Sequence, residues 1–201
     1  MRKSLLIAFI AAGALALASC GAARPSKYYA LDLPSSLALA ARPGPVTLLI
    51  GHFSAPHLYR DDRIVYRTGT TQIGTYEYHR WAEPPADMLE GMLLHVLRMS
   101  GKYSSVQRMG SNTRGDYILR GRLHQLEEVS DNGLMARVAF EIELYEQKSG
   151  TTVWSRYYSA DEPVSGKEVP DVVQAMNRNV KRGIAEVAAG LDQFFARQAS
   201  K

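Results

Sequence analysis

The stretch from Ala136 to Tyr145 limits this chain's architecture more than any other. Ala136, Val138, Phe140, Ile142 and Leu144 alternate with Arg137, Ala139, Glu141, Glu143 and Tyr145. Side chains on a strand point alternately to opposite faces, so the run predicts a strand with one face buried and one wet. Turn signals bracket it. Upstream, Ser130-Asp131-Asn132-Gly133 carries the Asn-Gly pair that favours a tight type I′ hairpin, because both positions accept positive φ. That turn leads back to Tyr117–Leu123, a second strand. Downstream, Lys148-Ser149-Gly150 leads to a third, Thr152–Tyr158. The three together predict an antiparallel meander.

Shorter strand signals precede it. Val46–Ile50 is an apolar, β-branched run bounded by Pro45 and Gly51. Arg63–Arg67 and Thr75–Tyr78 alternate and are assigned to the same sheet, and Tyr103–Val106 reads as a further short strand. Two segments have helical period instead. After Pro84-Pro85, the residues Met88, Leu89, Met92, Leu93, Val96 and Leu97 recur every three or four, with Asp87 in the first turn and Gly101 as the stop. From Val169 to about Ala199, Val173, Met176, Val180, Ile184, Val187, Leu191 and Phe194 step likewise, with Lys181, Arg182, Asp192 and Arg197 on the polar face. The expected fold is α+β, an antiparallel or mixed β-sheet covered by two main α-helices, in a single domain over residues 46–201.

The N-terminus has a different grammar. Arg2 and Lys3, 13 apolar residues from Leu5 to Leu17, and then small residues form an export signal too short to span a bilayer, which takes about 20. It ends in Leu17-Ala18-Ser19-Cys20, which resembles the bacterial lipobox, where the cysteine thiol receives diacylglycerol and the chain is cut before it. Residues 1–19 are therefore read as a lipoprotein signal peptide and Cys20 as the lipidation site. Three acyl chains would exceed the two-signal threshold for stable anchoring. The alternative is a plain signal peptide ending by accident in cysteine; against it, Cys20 is the only cysteine in the chain. Residues 20–45, rich in Ala, Ser, Pro and Gly, read as a lipid-anchored tether, interrupted by Tyr28-Tyr29-Ala30-Leu31, which is expected to dock as a short strand.

Cleavage before Cys20 leaves 182 of 201 residues and removes two cations, so the formal net charge falls from +4 to +2. That near balance argues against nucleic acid as a partner. With the sole thiol lipidated, neither a disulfide nor a cysteine nucleophile is available, and the fold depends on its apolar core. His52, His57, His79, His95 and His124 show no i, i+4 ligand spacing, so no metal or other cofactor is assigned beyond the acyl groups on Cys20. Ser165-Gly166-Lys167 lacks the first glycine and the following Ser or Thr of a phosphate loop, and no Gly-x-Ser-x-Gly elbow is present. The adjacent acids Asp61-Asp62 and Glu127-Glu128 point to opposite sides of an extended chain and are expected at a solvated loop or strand end. No catalytic constellation emerges, and a binding role is favoured over an enzyme.

One block is distinctive: Arg63-Ile64-Val65-Tyr66-Arg67, then Tyr76-Glu77-Tyr78-His79-Arg80-Trp81-Ala82-Glu83-Pro84. With the lipobox and Tyr28–Leu31 it resembles the ABC-type transport auxiliary lipoprotein family, the PqiC-like lipoproteins that accompany an ATPase, a permease and an MCE-domain protein. The chain departs from the family in reading His57-Leu58-Tyr59-Arg60-Asp61 where Tyr-Leu-Asp-Arg-Pro is frequent. The resemblance implies a non-enzymatic part of a system moving lipids between inner and outer membrane, with an MCE-domain protein as partner. Two readings of the block stay open. In the favoured one Trp81 covers the end of the core while Arg80 and Glu83 stay wet; in the other Trp81, with Tyr66 and Tyr78, is an exposed aromatic patch that binds the partner. Gly21, where retention in the inner membrane would call for aspartate, points to the outer membrane. The rival functions are an envelope or outer-membrane assembly lipoprotein without a transporter and a periplasmic hydrolase; homo-oligomerisation is left open.

Overall fold

The computed structural model describes residues 24–33, 43–110, 114–131 and 133–200. The predicted signal peptide, Cys20 and the start and middle of the predicted tether lie outside them. The sheet is assembled on one long strand, β6 (Tyr117–Ser130), which pairs along its whole length with antiparallel β7 (Leu134–Glu146). β7 in turn pairs with antiparallel β8 (Thr151–Pro163), completing the meander. The other edge of β6 serves two strands in parallel. Its beginning pairs with β2 (Thr47–Ile50), and its end, Glu127–Ser130, with β3 (Arg63–Thr68). Beyond β2 lies parallel β5 (Ser105–Arg108). Beyond β3 lies antiparallel β4 (Gln72–Trp81), and β4 carries parallel β1 (Lys27–Tyr29) on its far edge. The sheet is thus mixed and eight-stranded.

Two helices cover one face: α1 (Pro85–Met99) and α2 (Val169–Ala199). Pro85 opens α1 where a missing N–H is harmless. α2 starts with a reciprocal capping box, in which Glu168 accepts from the first turn and Asp171 reaches back to the Glu168 amide. Their apolar stripes bury Met92, Leu93, Leu97, Met176, Val180, Ile184, Val187 and Leu191 against Leu119, Leu123, Phe140 and Leu144 of the sheet. Each such side chain contributes about 1.5–3 kcal/mol of transfer free energy. Gly183 sets how closely α2 approaches: a Cβ there would stand 2.7 Å from the Tyr158 ring and 2.8 Å from Phe140. Among the described residues no helix is long and apolar enough to cross a membrane.

Three sequence expectations change. The β6–β7 connection pairs Ser130 with Leu134, leaving three residues rather than a two-residue turn; Gly133 takes φ +126°, and Asn132 lies outside the described residues. β6 does not stop at Leu123, because a bulge at His124 lets pairing resume at Gln125. The pair Glu127-Glu128 is therefore inside the strand, 0% and 9% exposed, and not at a solvated end. Apart from these changes, Arg24–Leu33 lies against the domain with a short strand in it: β1 pairs with β4, Leu31 enters the core, the Asp32 amide donates to Asn177 Oδ1 at 3.1 Å, and Asp32 pairs with Lys181 on α2.

Candidate functional site at the end of β4

β4 ends at a corner. Arg80 Nη1 lies 2.7 Å from Asp62 Oδ1, and the Trp81 amide donates to the Asp62 carbonyl. Pro84 and Pro85 then turn the chain into α1. Trp81 pairs in register with Tyr29 of β1 and is 1% exposed, its indole packed in the core. An exposed aromatic patch containing Trp81 is accordingly not what the fold builds, because β1 closes the edge beside it and the corner points the ring inward. Glu83 is exposed; Tyr66, Tyr78 and Arg80 are half-buried.

The remaining tyrosines divide into two sets. Tyr66 lies on β3 over Gly74, its ring 5.2 Å from Tyr76; Tyr76 meets the His79 ring at 5.6 Å, and His79 stacks on Tyr29 at 5.7 Å. Tyr78 instead lies under the Arg24 guanidinium, 5.6 Å from its ring centre. Tyr29 Oη and His79 Nδ1 are hydrogen-bonded at 2.8 Å. Burial, followed by the charges of Lys27 and Arg24, lowers the His79 pKa below its ordinary 6.5, so His79 favours the neutral form.

Below this edge runs a buried polar seam that sequence reasoning missed. Glu127 receives Arg67 Nε at 2.8 Å and Arg67 Nη2 at 3.1 Å, the Tyr59 hydroxyl at 2.7 Å and Gln125 Nε2 at 3.2 Å. A buried carboxylate survives only when paired and hydrogen-bonded, and this one is. Glu128 accepts from the Tyr76 hydroxyl at 2.7 Å. Burial, then the hydrogen bond to the carboxylate, raises the pKa of both Tyr59 and Tyr76, keeping them protonated as donors. Tyr59, in the segment where the chain departs from the resembled family, is 4% exposed and belongs to the interior. The signal for the seam was concealed by the bulge, which puts Leu123 and Leu126 on one face at a spacing of three.

A second missed cluster sits at the start of α1. His52 Nδ1 is 3.4 Å from Glu90 Oε2 and 3.9 Å from Asp87 Oδ1, close enough for the three to ligate one ion. Glu90 is already engaged, by Arg108 Nε at 3.1 Å and by the Phe53 amide at 3.3 Å. That guanidinium and the positive end of α1 oppose a cation here, so the cluster reads as an ion-pair network holding the 52–60 loop.

Comparison with known proteins follows the same outline. The family described as ABC-type transport auxiliary lipoprotein component matches residues 29–188. Curated proteins give no match. Among solved structures, XCC0632 of Xanthomonas campestris, a DUF330 protein, superposes with a TM-score of 0.75 at 23% identity, covering 87% of this chain and 99% of that one. An uncharacterised protein superposes at 0.65 and 16% identity, covering 84% and 99%, and CT253 of Chlamydia trachomatis at 0.50 and 8%, covering 74% and 96%. At these identities the likeness is one of fold. The family match spans most of the chain and includes β3, β4 and the whole meander, so the protein is a membrane-anchored component of the cell envelope and belongs to the ABC-type transport auxiliary lipoprotein family.

Proposed function

We propose that this protein is the lipid-anchored auxiliary component of an MCE-type ABC transport system that moves lipids between inner and outer membrane, fixed to the outer membrane through Cys20 and acting by binding the MCE-domain partner. Family membership over residues 29–188 carries the reading, together with a lipobox cysteine nine residues ahead of the match. The contact surface assigned to the partner comprises Tyr66, Tyr78, Arg80 and Glu83, with Trp81 supporting it from the core. The role asks for no catalytic group and for no cofactor besides the diacylglycerol and N-acyl chain on Cys20. Affinity isolation of the full-length protein from envelope extracts tests it: an MCE protein should be recovered, and a Tyr78→Ala/Glu83→Lys variant that folds normally should recover less. Consistent absence of any MCE protein from well-expressed samples would sink the proposal.

A further inference from the structure

The chain meets the domain sooner than its composition suggests. A free segment from Cys20 to Pro45 would let a flexible domain wander an r.m.s. distance of about 25–30 Å from its anchor. Arg24, however, already lies over the Tyr78 ring, and Lys27–Tyr29 is paired residue by residue with His79–Trp81. Leu31 is buried and Asp32 is held twice by α2, so the docking is secured downstream as well. Only Gly21-Ala22-Ala23 separate Cys20 from Arg24. Four peptide steps span at most about 14 Å even when fully extended.

From this we infer that the outer edge of β1, from Arg24 to Leu33, is a membrane-contact surface, laid against the anionic phospholipid of the bilayer that holds the acyl chains. The inference rests on lipidation of Cys20. The chemistry of the edge suits that occupant. Tyr29 faces inward to His79, so strand alternation turns its neighbour Tyr28 outward, where it is 64% exposed. A tyrosine with an apolar ring and a polar tip suits the headgroup region. Lys27 and Arg24 flank it, both exposed, and residues 21–31 contain no acid; Asp32, the first, is occupied by Lys181. Basic residues close to an anionic surface bind it, and the attraction decays within a Debye length. Leu33, 45% exposed, adds apolar surface just beyond β1. A domain anchored in this way has a fixed face toward the lipid, and the β7–β8 turn at Lys148 lies beside the end of β6 opposite to the one that carries β3, β4 and β1.

The test uses the full lipidated chain in vesicles of phosphatidylethanolamine and phosphatidylglycerol. Since the sulfur of Cys20 would be a thioether, Tyr28→Cys and Lys148→Cys each provide a single thiol for a fluorescent label. The probe at position 28 should be quenched several-fold more strongly than that at 148 by lipids carrying a quencher near the headgroup, and Arg24→Glu/Lys27→Glu should reduce the difference without releasing the protein. In the unsubstituted protein, acylation of Lys27 by a water-soluble reagent should be slower in vesicles than in detergent, with Lys148 unaffected. Equal quenching at the two positions, or stronger quenching at 148, with the acyl chains confirmed by mass, would overturn the contact surface alone. An N-terminal peptide without acyl chains would overturn the anchor, and this surface with it.

Discussion

The meander and the wing formed by β3, β4 and β1 are parts of one sheet held in contrasting ways. In the meander, β6, β7 and β8 are sequence neighbours whose apolar alternation lies under α2, and polar groups on the other face remain partly wet, as in the Arg137–Asp161 pair at 2.8 Å. The wing joins β6 in parallel, across some 60 residues of intervening chain, and a buried carboxylate helps fasten it there. Apolar burial tolerates small displacements because it has no direction, whereas Glu127 requires Arg67 and Tyr59 at hydrogen-bond distance. The meander should therefore yield only when the whole domain unfolds, and the wing should be able to open by itself.

The sharpest way to break that contrast is a pair of substitutions of similar expected cost. Phe140→Ala empties the centre of the meander and should destabilise by about 3–5 kcal/mol. Arg67→Ala leaves Glu127 as an unpaired buried charge, also worth about 3–5 kcal/mol. Native-state hydrogen exchange should distinguish them. Phe140→Ala lowers protection throughout, while Arg67→Ala accelerates exchange in Val65–Thr68 and leaves Val138–Leu144 protected close to the new global limit. If both variants lose protection uniformly, the sheet is a single cooperative unit and the contrast fails.

A milder version is Tyr59→Phe, which removes one of the donors to Glu127 and should cost about 1–3 kcal/mol, read as a shift in the chemical-denaturation midpoint. An unchanged midpoint would mean that Arg67 and Gln125 satisfy Glu127 by themselves. The smallest expected effect concerns pH. Burial and the nearby Lys27 and Arg24 lower the folded pKa of His79, with Glu168 the opposing influence. The unfolded chain thus binds the proton more readily, so the stability contributed by neutral His79 is complete above its ordinary pKa of about 6.5 and declines as pH falls below it. Protection of the Ala82 amide, which donates to the Tyr29 carbonyl, should decline over that window in the wild type and stay flat in His79→Asn.

The same division decides what the sequence disclosed. Ala136–Tyr145, the positions of its flanking turns and both helices were readable because period and punctuation are local, and Val169–Ala199 appears over the expected span. The wing was only partly readable. Its strands were recognised, but parallel pairing with β6 depends on residues far away in the chain, and the bulge at His124 interrupts the two-residue period just before Glu127. From sequence alone, two adjacent glutamates look like surface; what buries them is Tyr59, Arg67 and Tyr76, between 52 and 68 positions away. At the candidate site, Trp81 was recognisable as a corner residue, yet its complete burial follows from β1, whose partner strand no periodicity could name.

The parallel register of β1 on β4 also has a mechanical side. A pull on the chain ahead of Arg24 would load the domain through this strand. Such a force would run along the axis of β1, so the Lys27–His79, Tyr28–Arg80 and Tyr29–Trp81 pairs would be loaded in shear and share the strain, rather than parting one after another as in peeling. Past them the load divides, one branch passing through β4 and β3 into β6 and the other through Asp32 into α2. A three-residue strand becomes in this way a grip for the entire domain.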